Sequence, residues 1–385
     1  MARQSEVQVE IAGSVDALSA ADWNACAGRR NPFVSHEFLA AMEQSGSAVS
    51  ETGWQPVHLI VRAPDGGAGE PPLGILPAYA KSHSRGEYVF DHGWADAFER
   101  AGGRYYPKLQ MSVPFTPAGG PRLLLRDAAA AEPLLAAAET LCRQNGLSSA
   151  HATFVEEAQV PMFAEADWLV RHGEQFHWFN RGYDSFEDFL ASLSSRKRKG
   201  IRRERREAMI DGLEIVTRRG AEIREADWDA FWDFYQDTGA RKWGQPYLTR
   251  AAFSLLGQLM GERTILLMAE VNGEPVAGAL NFLGEDCIYG RYWGALADIP
   301  FLHFELCYYR AIDIAIEMRL ARVEAGAQGE HKLARGYEPV RTYSAHWIAN
   351  PGLRAAIADF LDAERPAVDR ELRAMSRYTP FRKGD

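Results

Sequence analysis

The strongest constraint on the fold is that one order of predicted elements occurs twice along the chain. Residues 58–94 contain strand-like runs separated by turns, and residues 265–294 repeat that order around an Asn272-Gly273 turn. In each half a helical segment and a short β-rich run follow, at 133–155 and 305–327. The identity between the halves is low, but the shared order favours two related α/β domains in tandem over one large domain.

Length and composition agree with this architecture. The chain has 385 residues, which is enough for two or three domains with a core in each. Its 46% hydrophobic and 25% charged residues are typical of a globular protein and exclude disorder, collagen or coiled coil as the main state. We expect an α/β (α+β) fold with mixed, mostly antiparallel sheets, divided into domains at 1–180 and 181–385.

Apolar runs and cysteines bear on where the protein acts. No run of about 18 apolar residues is present, so we expect no membrane span, and the N-terminal segment lacks the pattern of a secretory signal. The four cysteines lie far apart without a C-x-x-C pair, which excludes a disulfide framework and a zinc knuckle. This usage is typical of a reducing compartment, and we expect a cytoplasmic protein.

The segment 196–206, RKRKGIRRERR, concentrates positive charge in a chain whose net charge is −9. One interpretation is a solvated helix face, with Arg203 and Glu207 paired at i,i+4. The other is a phosphate-binding surface, because guanidinium groups match phosphate oxygens. Such a surface suits a nucleotide, a CoA or one stretch of an RNA. The candidate phosphate-binding residues are Arg196, Lys197, Lys199, Arg202 and Arg203.

A second polar cluster occupies residues 324–337, EAGAQGEHKLARGY, directly after a predicted strand. Its three glycines allow tight backbone geometry, and loops at strand ends are where scaffolds present reactive groups. Glu330 or His331 is a candidate to take a proton from an amine, and Lys332 or Arg335 to hold a phosphate or carboxylate. The alternative is a polar surface loop.

A third cluster joins a predicted strand to a predicted helix that starts near Leu302. Strict alternation would place Tyr289, Arg291 and Trp293 on one face of the strand and Tyr292 on the other. Glu305 would then be a partner for the Arg291 guanidinium. The alternatives are a structural ion pair and a substrate-binding wall. The candidate wall residues are Arg291, Trp293, His303, Glu305 and Tyr308.

In the first half, polar residues stand among aromatic ones. Asp91, His92 and Lys108 are such residues, and Glu87 lies nearby in sequence. Buried polar groups need partners, so the cluster is either structural or part of a substrate-binding cleft.

Several known catalytic motifs are absent from the sequence. It contains no G-x-x-x-x-G-K-[ST], no G-x-G-x-x-G after a strand, no H-E-x-x-H and no G-x-S-x-G. His303 and Glu305 are two residues apart and do not share a helix face. We therefore expect no metal site.

Nine stretches in order over residues 30–347 resemble the FemAB-like group of predicted N-acyltransferases, which is related to peptidoglycan biosynthesis. GAQGEHKLARG and GRYWG are the most specific of these stretches, and SRKRKGIRRERR resembles the basic helix that opens the second domain there. The resemblance implies tandem GNAT-like (acyl-CoA N-acyltransferase) domains. It also implies a cosubstrate, acyl-CoA or aminoacyl-tRNA, and no tightly bound cofactor.

These observations give one preferred hypothesis and one rival. The preferred hypothesis is transfer of an acyl or aminoacyl group to an amine on a substrate that carries phosphate, with tRNA as a further partner. Glu330 or His331 would act as the base, and Tyr289 or Tyr308 would stabilise the oxyanion. The rival is a non-catalytic protein that binds a phosphorylated cell-wall precursor or RNA through the basic helix; a degenerate enzyme serving as a scaffold is a third option.

Overall fold

The structure, a computed structural model, describes residues 8–63, 70–242, 246–326 and 329–382. The chain divides into two compact units. The first comprises Met1–Gly173 with Arg341–Arg370, and the second comprises Glu174–Val340 with Glu371–Asp385.

The strands of the described chain are numbered in chain order. They are β1 (Val9–Ala12), β2 (Trp54–Pro56), β3 (His58–Val61), β4 (Gly74–Leu76), β5 (Tyr79–Lys81), β6 (Lys108–Met111), β7 (Leu124–Leu125), β8 (Ser149–Val155), β9 (Leu169–Phe179), β10 (Leu213–Arg219), β11 (Thr264–Val271), β12 (Glu274–Leu283), β13 (Cys287–Ala295), β14 (Arg322–Glu324) and β15 (Glu338–Ile348).

The helices are numbered in the same way. They are α1 (Ala20–Ala27), α2 (His36–Gln44), α3 (His92–Arg100), α4 (Ala131–Asn145), α5 (Val160–Glu165), α6 (Phe186–Ser192), α7 (Ser195–Ala208), α8 (Glu225–Lys242), α9 (Arg250–Met260), α10 (Leu302–Phe304), α11 (Arg310–Glu317) and α12 (Pro351–Met375). A π-helical turn, Glu305–Tyr309, joins α10 to α11. The 3₁₀ turns are Val15–Ala17, Pro32–Val34, Ser50–Thr52, Ala128–Ala130, Glu157–Gln159, Gly220–Glu222, Gly261–Arg263, Glu330–Arg335 and Ser376–Tyr378.

The first unit contains two sheets that pack against α4. One has the strand order β1-β3-β4-β7, and the other has β15, β8, β6, β5 and β2 as successive neighbours. Within the second sheet β6 and β8 are parallel, and α4 lies between them in sequence. The buried apolar side chains of α4, including Leu134 and Leu135, pack with those of the strands to form the core of this unit.

The second unit contains one mixed sheet in which β10, β11, β12, β13, β14 and β9 are successive neighbours. The turn between β11 and β12 has positive φ at Asn272 and Gly273, as the sequence predicts for a tight hairpin. β13 and β14 are parallel and are connected through α10, the π turn and α11. The apolar face of that helical segment covers the sheet and forms the main core.

Three sequence-based expectations differ from the structure. Residues 86–90 are not a strand, and α3 begins at His92 instead; β6 supplies the parallel strand of the first unit. Pro366 predicts an interruption of the terminal helix, but helix α12 continues through it, since this proline removes only one backbone donor from a long helix. Arg341–Arg370, which the boundary at 181 assigns to the second domain, belong to the first unit, because β15 pairs with β8 there.

A glycine in β13 gives a direct test of how closely α8 packs on the sheet. A Cβ at Gly294 would lie 2.3 Å from the backbone carbon and oxygen of Phe234, whereas one at Gly93 in α3 would meet no atom within 4 Å. We predict that Gly294→Ala lowers the free energy of unfolding by about 1–3 kcal/mol, because backbone atoms must move. Gly93→Ala is the control and should not lower it. Equal stability of both variants in urea denaturation would contradict this packing.

Candidate active site

The parallel pairing of β13 with β14 stops after three residue pairs, of which the last joins Tyr289 to Glu324. β14 ends there, while β13 continues to Ala295. On its other side β13 carries a bulge, because Leu280 pairs with Tyr292 and Asn281 pairs with Gly290, which leaves Arg291 as an extra residue. The two parallel strands therefore part beside an irregular stretch of backbone.

A cavity of about 100 Å³ lies where these strands part. One wall is the irregular stretch of β13, a second is the start of the helical segment, and a third is the chain just after β14. The lining residues are Ala279, Leu280, Asn281, Gly290, Arg291, Tyr292, Trp293, His303, Cys307, Tyr308 and Ala325. The wall residues that the sequence suggested are thus brought together, except Glu305.

The bulge changes which side chains share a face of β13. Tyr289 pairs with Phe282 and Tyr292 with Leu280, so these two tyrosines lie on one face, and Trp293 lies on the other. The expectation of Tyr289 and Trp293 on one face was wrong, because an extra residue breaks the period of two. Tyr289 is buried, its hydroxyl lies 3.4 Å from Arg322, and it does not line the cavity.

The π turn and the loop after β14 bring Tyr308 and His331 together. The Tyr308 hydroxyl lies 2.9 Å from His331 Nε2, and the two rings are 5.7 Å apart. Burial raises the pKa of Tyr308, which keeps its proton available for donation. Gly329 has φ +122°, and a Cβ there would lie 2.5 Å from the His331 ring, so glycine is required at this position. The side chain of Glu330 lies outside the described residues.

Lys332 and Arg335 hold this loop in place. Lys332 Nζ donates to the Gly326 carbonyl at 2.8 Å, and Arg335 donates to the His331 carbonyl at 2.8 Å. Arg335 also donates to Glu204 at 2.9 Å, and its guanidinium lies 3.4 Å from the centre of the Phe304 ring. Both cations are buried and already have acceptors, so they fix the position of His331.

Glu305 has different partners from the one the sequence suggested. Its buried carboxylate accepts from Arg205 at 3.0 Å and from Arg310 at 2.9 Å. Arg205 also donates to Asp313 at 2.7 Å. The pairing of Glu305 with Arg291 was wrong, because the π turn directs this carboxylate towards α7. A buried carboxylate satisfied in this way anchors the helical segment.

The basic helix α7 has two different faces. Glu204 and Arg205 turn inward, where Glu204 also accepts from the Tyr309 hydroxyl. Four of the five candidate phosphate-binding residues are exposed, and the pairs that Arg202 forms with Glu187 and Arg203 forms with Glu207 at 3.7 Å lie at the surface. Surface pairs of this kind contribute about 0–1 kcal/mol and exchange readily for a phosphate. The outward-facing candidates are Arg196, Lys199, Arg202 and Arg203, with Lys197 half-buried.

The polar cluster of the first unit is paired within itself. Lys108 donates to Glu87 at 2.7 Å and to Asp91 at 2.5 Å, and all three are buried. Burial by itself would raise the pKa of Asp91, but the ammonium of Lys108 holds that pKa well below its usual range. His92 is not part of this cluster, since its side chain is exposed at the start of α3.

The first unit has less space at the carboxyl end of its parallel strand β6. The cavity next to Ser112 and Val113, just after β6, measures about 10 Å³. Arg122 fills this region, because its buried guanidinium donates to Thr153 and Ala118 carbonyls at 2.7 Å each. The first unit therefore lacks a gap at this position, although a separate cavity of about 310 Å³ lies there beside Lys81, Pro107 and Leu147.

Sequence reasoning missed three residues of the site. Cys307 and Asn281 line the cavity, and Glu204 connects α7 to the loop. The signal for Cys307 was its position beside Tyr308 in the sequence. Asn281 and Glu204 gave no signal, because their partners lie far away along the chain.

Neither a metal cluster nor a membrane-spanning helix is found in the ranges that the structure covers. No group of three His, Cys, Asp or Glu side chains there is arranged to hold a metal ion. No helix within those ranges is both long and apolar enough to cross a bilayer.

Several solved structures have a fold similar to that of this chain. FemX matches with a TM-score of 0.54 at 11% identity, over 89% of this chain and 98% of that chain. The C-terminal DUF2156 domain of a putative lysylphosphatidylglycerol synthetase from Agrobacterium fabrum matches with a TM-score of 0.55 at 11% identity, over 91% and 95%. A tandem GNAT protein from the clavulanic acid biosynthesis pathway matches at 0.47 and 12% identity, over 90% and 99%. The chain therefore shares the fold of FemX and of the DUF2156 domain.

The family follows from the sequence comparison. Residues 14–383 match the FemAB-like family, described as peptidoglycan biosynthesis and recognition, and the chain belongs to that family. Membership places it among the transferases. A search of curated proteins gave no match.

The pH dependence of the unfolding free energy tests whether Lys332 is buried in the loop after β14. Desolvation lowers its pKa to about 8, against about 10.4 in an unfolded chain. Between these values the unfolded state binds a proton that the folded state lacks, so raising the pH favours folding. We predict that the unfolding free energy of the wild type, relative to Lys332→Met, rises from pH 8 to pH 10 by up to about 1.4 kcal/mol per pH unit. A flat or falling difference in urea titrations would contradict the burial of this ammonium.

Proposed function

We propose that the protein is an N-acyltransferase that moves an acyl or aminoacyl group from an activated donor to an amine acceptor. The observation that carries this proposal is the cavity between the parted strands, with Tyr308 in its wall and hydrogen-bonded to His331. A small group can enter beside exposed strand backbone at that point, and a proton donor and a proton acceptor stand together there.

Acyl transfer to an amine requires the formation of one bond, the breaking of another and a proton transfer. The acceptor nitrogen attacks the acyl carbonyl carbon, a C–N bond forms, and negative charge develops on the carbonyl oxygen. The bond from the acyl carbon to the donor's sulfur or oxygen then breaks. His331 takes the proton that the nitrogen loses, and the protonated Tyr308 hydroxyl donates to the developing oxyanion or to the leaving atom.

Positioning supplies much of the rate enhancement in such a transfer. Holding the amine and the carbonyl in a reactive geometry is worth about 7–11 kcal/mol of the barrier. Lys332 and Arg335 support this by fixing the loop that carries His331. Because both cations are already hydrogen-bonded, their proposed role is to position His331 and not to bind substrate directly.

The donor and the acceptor are proposed by chemical class. The donor is an acyl-CoA thioester or an aminoacyl-tRNA ester, each used as a cosubstrate, and the acceptor is an amine on a precursor that carries phosphate. The outward face of α7 would bind the phosphate oxygens of one of them. Four free cysteines fit a reducing cytoplasm as the place of reaction.

The Tyr308–His331 pair gives the first functional test. We predict that Tyr308→Phe and His331→Asn each lower kcat by about 10²–10⁴-fold, because each removes a proton-transfer group. The melting temperature of His331→Asn should stay near that of the wild type, since this side chain is exposed. Tyr378→Phe, which changes a tyrosine that is 78% exposed, is the control and should keep full activity. Full activity in both site variants would show that Tyr308 and His331 do not transfer protons in the reaction.

The phosphate role of α7 gives the second test. We predict that the double variant Arg202→Glu/Arg203→Glu raises the KM for the phosphate-bearing substrate by at least about tenfold, since each charge-assisted contact is worth about 1.5–3 kcal/mol. Arg100→Glu/Arg104→Glu, the same charge change in the first unit, is the control. If the KM is unchanged, the outward face of α7 does not bind the phosphate of the substrate. Steep salt dependence of binding without any acyl turnover would favour the non-catalytic alternative instead.

A further inference from the structure

Cys307 differs from the other cysteines in its surroundings. Cys26, Cys142 and Cys287 are buried, whereas Cys307 is partly exposed. Among the four it is the one that lines the cavity of the proposed acyl site. Burial raises the pKa of the Cys142 thiol to about 12 and that of Cys26 to about 11, so these two are unreactive as nucleophiles.

The helical segment delivers this thiol to the same space as the proton donor. Cys307 and Tyr308 are consecutive residues of the π turn, and both line the cavity, as does His303 one turn earlier. π turns of this kind occur frequently at functional sites. A thiol, a hydroxyl and an imidazole therefore share one small space.

Two basic residues lie near Cys307. Arg291 lines the same cavity. Lys332 interacts electrostatically with Cys307, since burial lowers the pKa of Lys332 and Cys307 opposes that shift. Neighbouring cations stabilise a thiolate, which is the nucleophilic form of cysteine.

Asn281 independently indicates that the cavity receives a ligand. This residue lines the cavity wall and is 0% exposed, and its Nδ2 donates to the Ala279 carbonyl at 3.2 Å. Its buried Oδ1 has no hydrogen-bond partner among the described residues. That oxygen lies 3.4 Å from the position that a Cβ at Gly290 would occupy, at the point where the strands part. An unsatisfied acceptor there is explained by a ligand that brings an N–H or O–H group.

We propose that Cys307 is a catalytic nucleophile that takes the acyl group before the amine does, so that transfer proceeds through an S-acyl enzyme. This inference rests on the proposed N-acyl transfer and specifies its chemical course. Direct attack by the amine on the donor is the competing course.

The two half-reactions balance without any further reactant. In the first, the Cys307 thiolate attacks the carbonyl carbon of the acyl thioester or ester, a C–S bond to Cys307 forms, and the donor's thiol or hydroxyl leaves with a proton from Tyr308. In the second, the acceptor amine attacks the S-acyl carbonyl, the C–N bond forms and the C–S bond breaks. The Cys307 thiolate returns, the amine proton passes to His331, and Tyr308 regains its proton through their hydrogen bond.

The direct test is to trap the intermediate on the wild-type protein. The full chain is incubated without an amine acceptor with acetyl, propionyl and glycyl thioesters of CoA and of N-acetylcysteamine, and its intact mass is measured. The expected result is an increase by one acyl group for at least one donor, mapped by peptide analysis to Cys307 and removed by hydroxylamine. An adduct mapped to a different residue, or none with a donor that supports turnover, overturns the proposal.

Kinetics of matched variants give a second measurement. Cys307→Ala should lower turnover by more than about 100-fold, whereas Cys26→Ala, a cysteine of the first unit, should not. Wild-type initial rates against both substrates should give the parallel double-reciprocal lines of a double displacement.

Cys307→Ala with turnover within about threefold of wild type overturns the S-acyl course and leaves N-acyl transfer intact. Absence of N-acyl transfer by the wild type would instead count against the proposed function. If Cys307→Ala does not fold, the trapping experiment on the wild type still decides.

Discussion

The active region depends on the parting of two parallel strands in the second unit. Parallel neighbours normally continue side by side, yet β13 and β14 share only three residue pairs. The bulge at Arg291 re-aims the backbone of β13, and Gly290 beside it keeps the gap open, because a Cβ there would face Asn281 and Ala325. The space that results is about 100 Å³, the size of a small acyl group rather than of a whole cosubstrate.

Ion pairs between buried and partly buried side chains hold the walls of this space in position. Arg205 ties α7 to Glu305 and Asp313 on the helical segment, and Glu204 ties the same helix to Arg335 on the loop. Buried ion pairs add little net stability, but removing one partner leaves an unpaired charge and costs about 3–5 kcal/mol. The arrangement therefore favours a single geometry, and it keeps His331 and Tyr308 in contact. The basic helix is thus a structural support on its inner face and a candidate phosphate-binding surface on its outer face.

Local signals in the sequence were sufficient for much of the fold. Asn272-Gly273 predicted a hairpin, and the repeated order of elements indicated two related domains. The resemblance to FemAB-like proteins indicated the family, which the match over residues 14–383 confirms. What could not be predicted depends on contacts between distant residues. A bulge inverts the faces of β13. Within the basic run, Arg205 turns inward because Glu305 and Asp313, about 100 residues away, accept its hydrogen bonds, and Glu204 turns inward because Arg335 donates to it.

The central claim is that the acyl group of the donor occupies the gap between β13 and β14. A crystal structure of the protein with a stable thioether analogue of an acyl-CoA, and a second one with an aminoacyl-adenosine amide, would test this most directly. The account predicts density for the acyl carbons between Gly290 and Ala325, within reach of Cys307 and Tyr308, for the analogue that binds. Density for the acyl group elsewhere in the second unit or within the first unit, with this gap unchanged, would contradict the account.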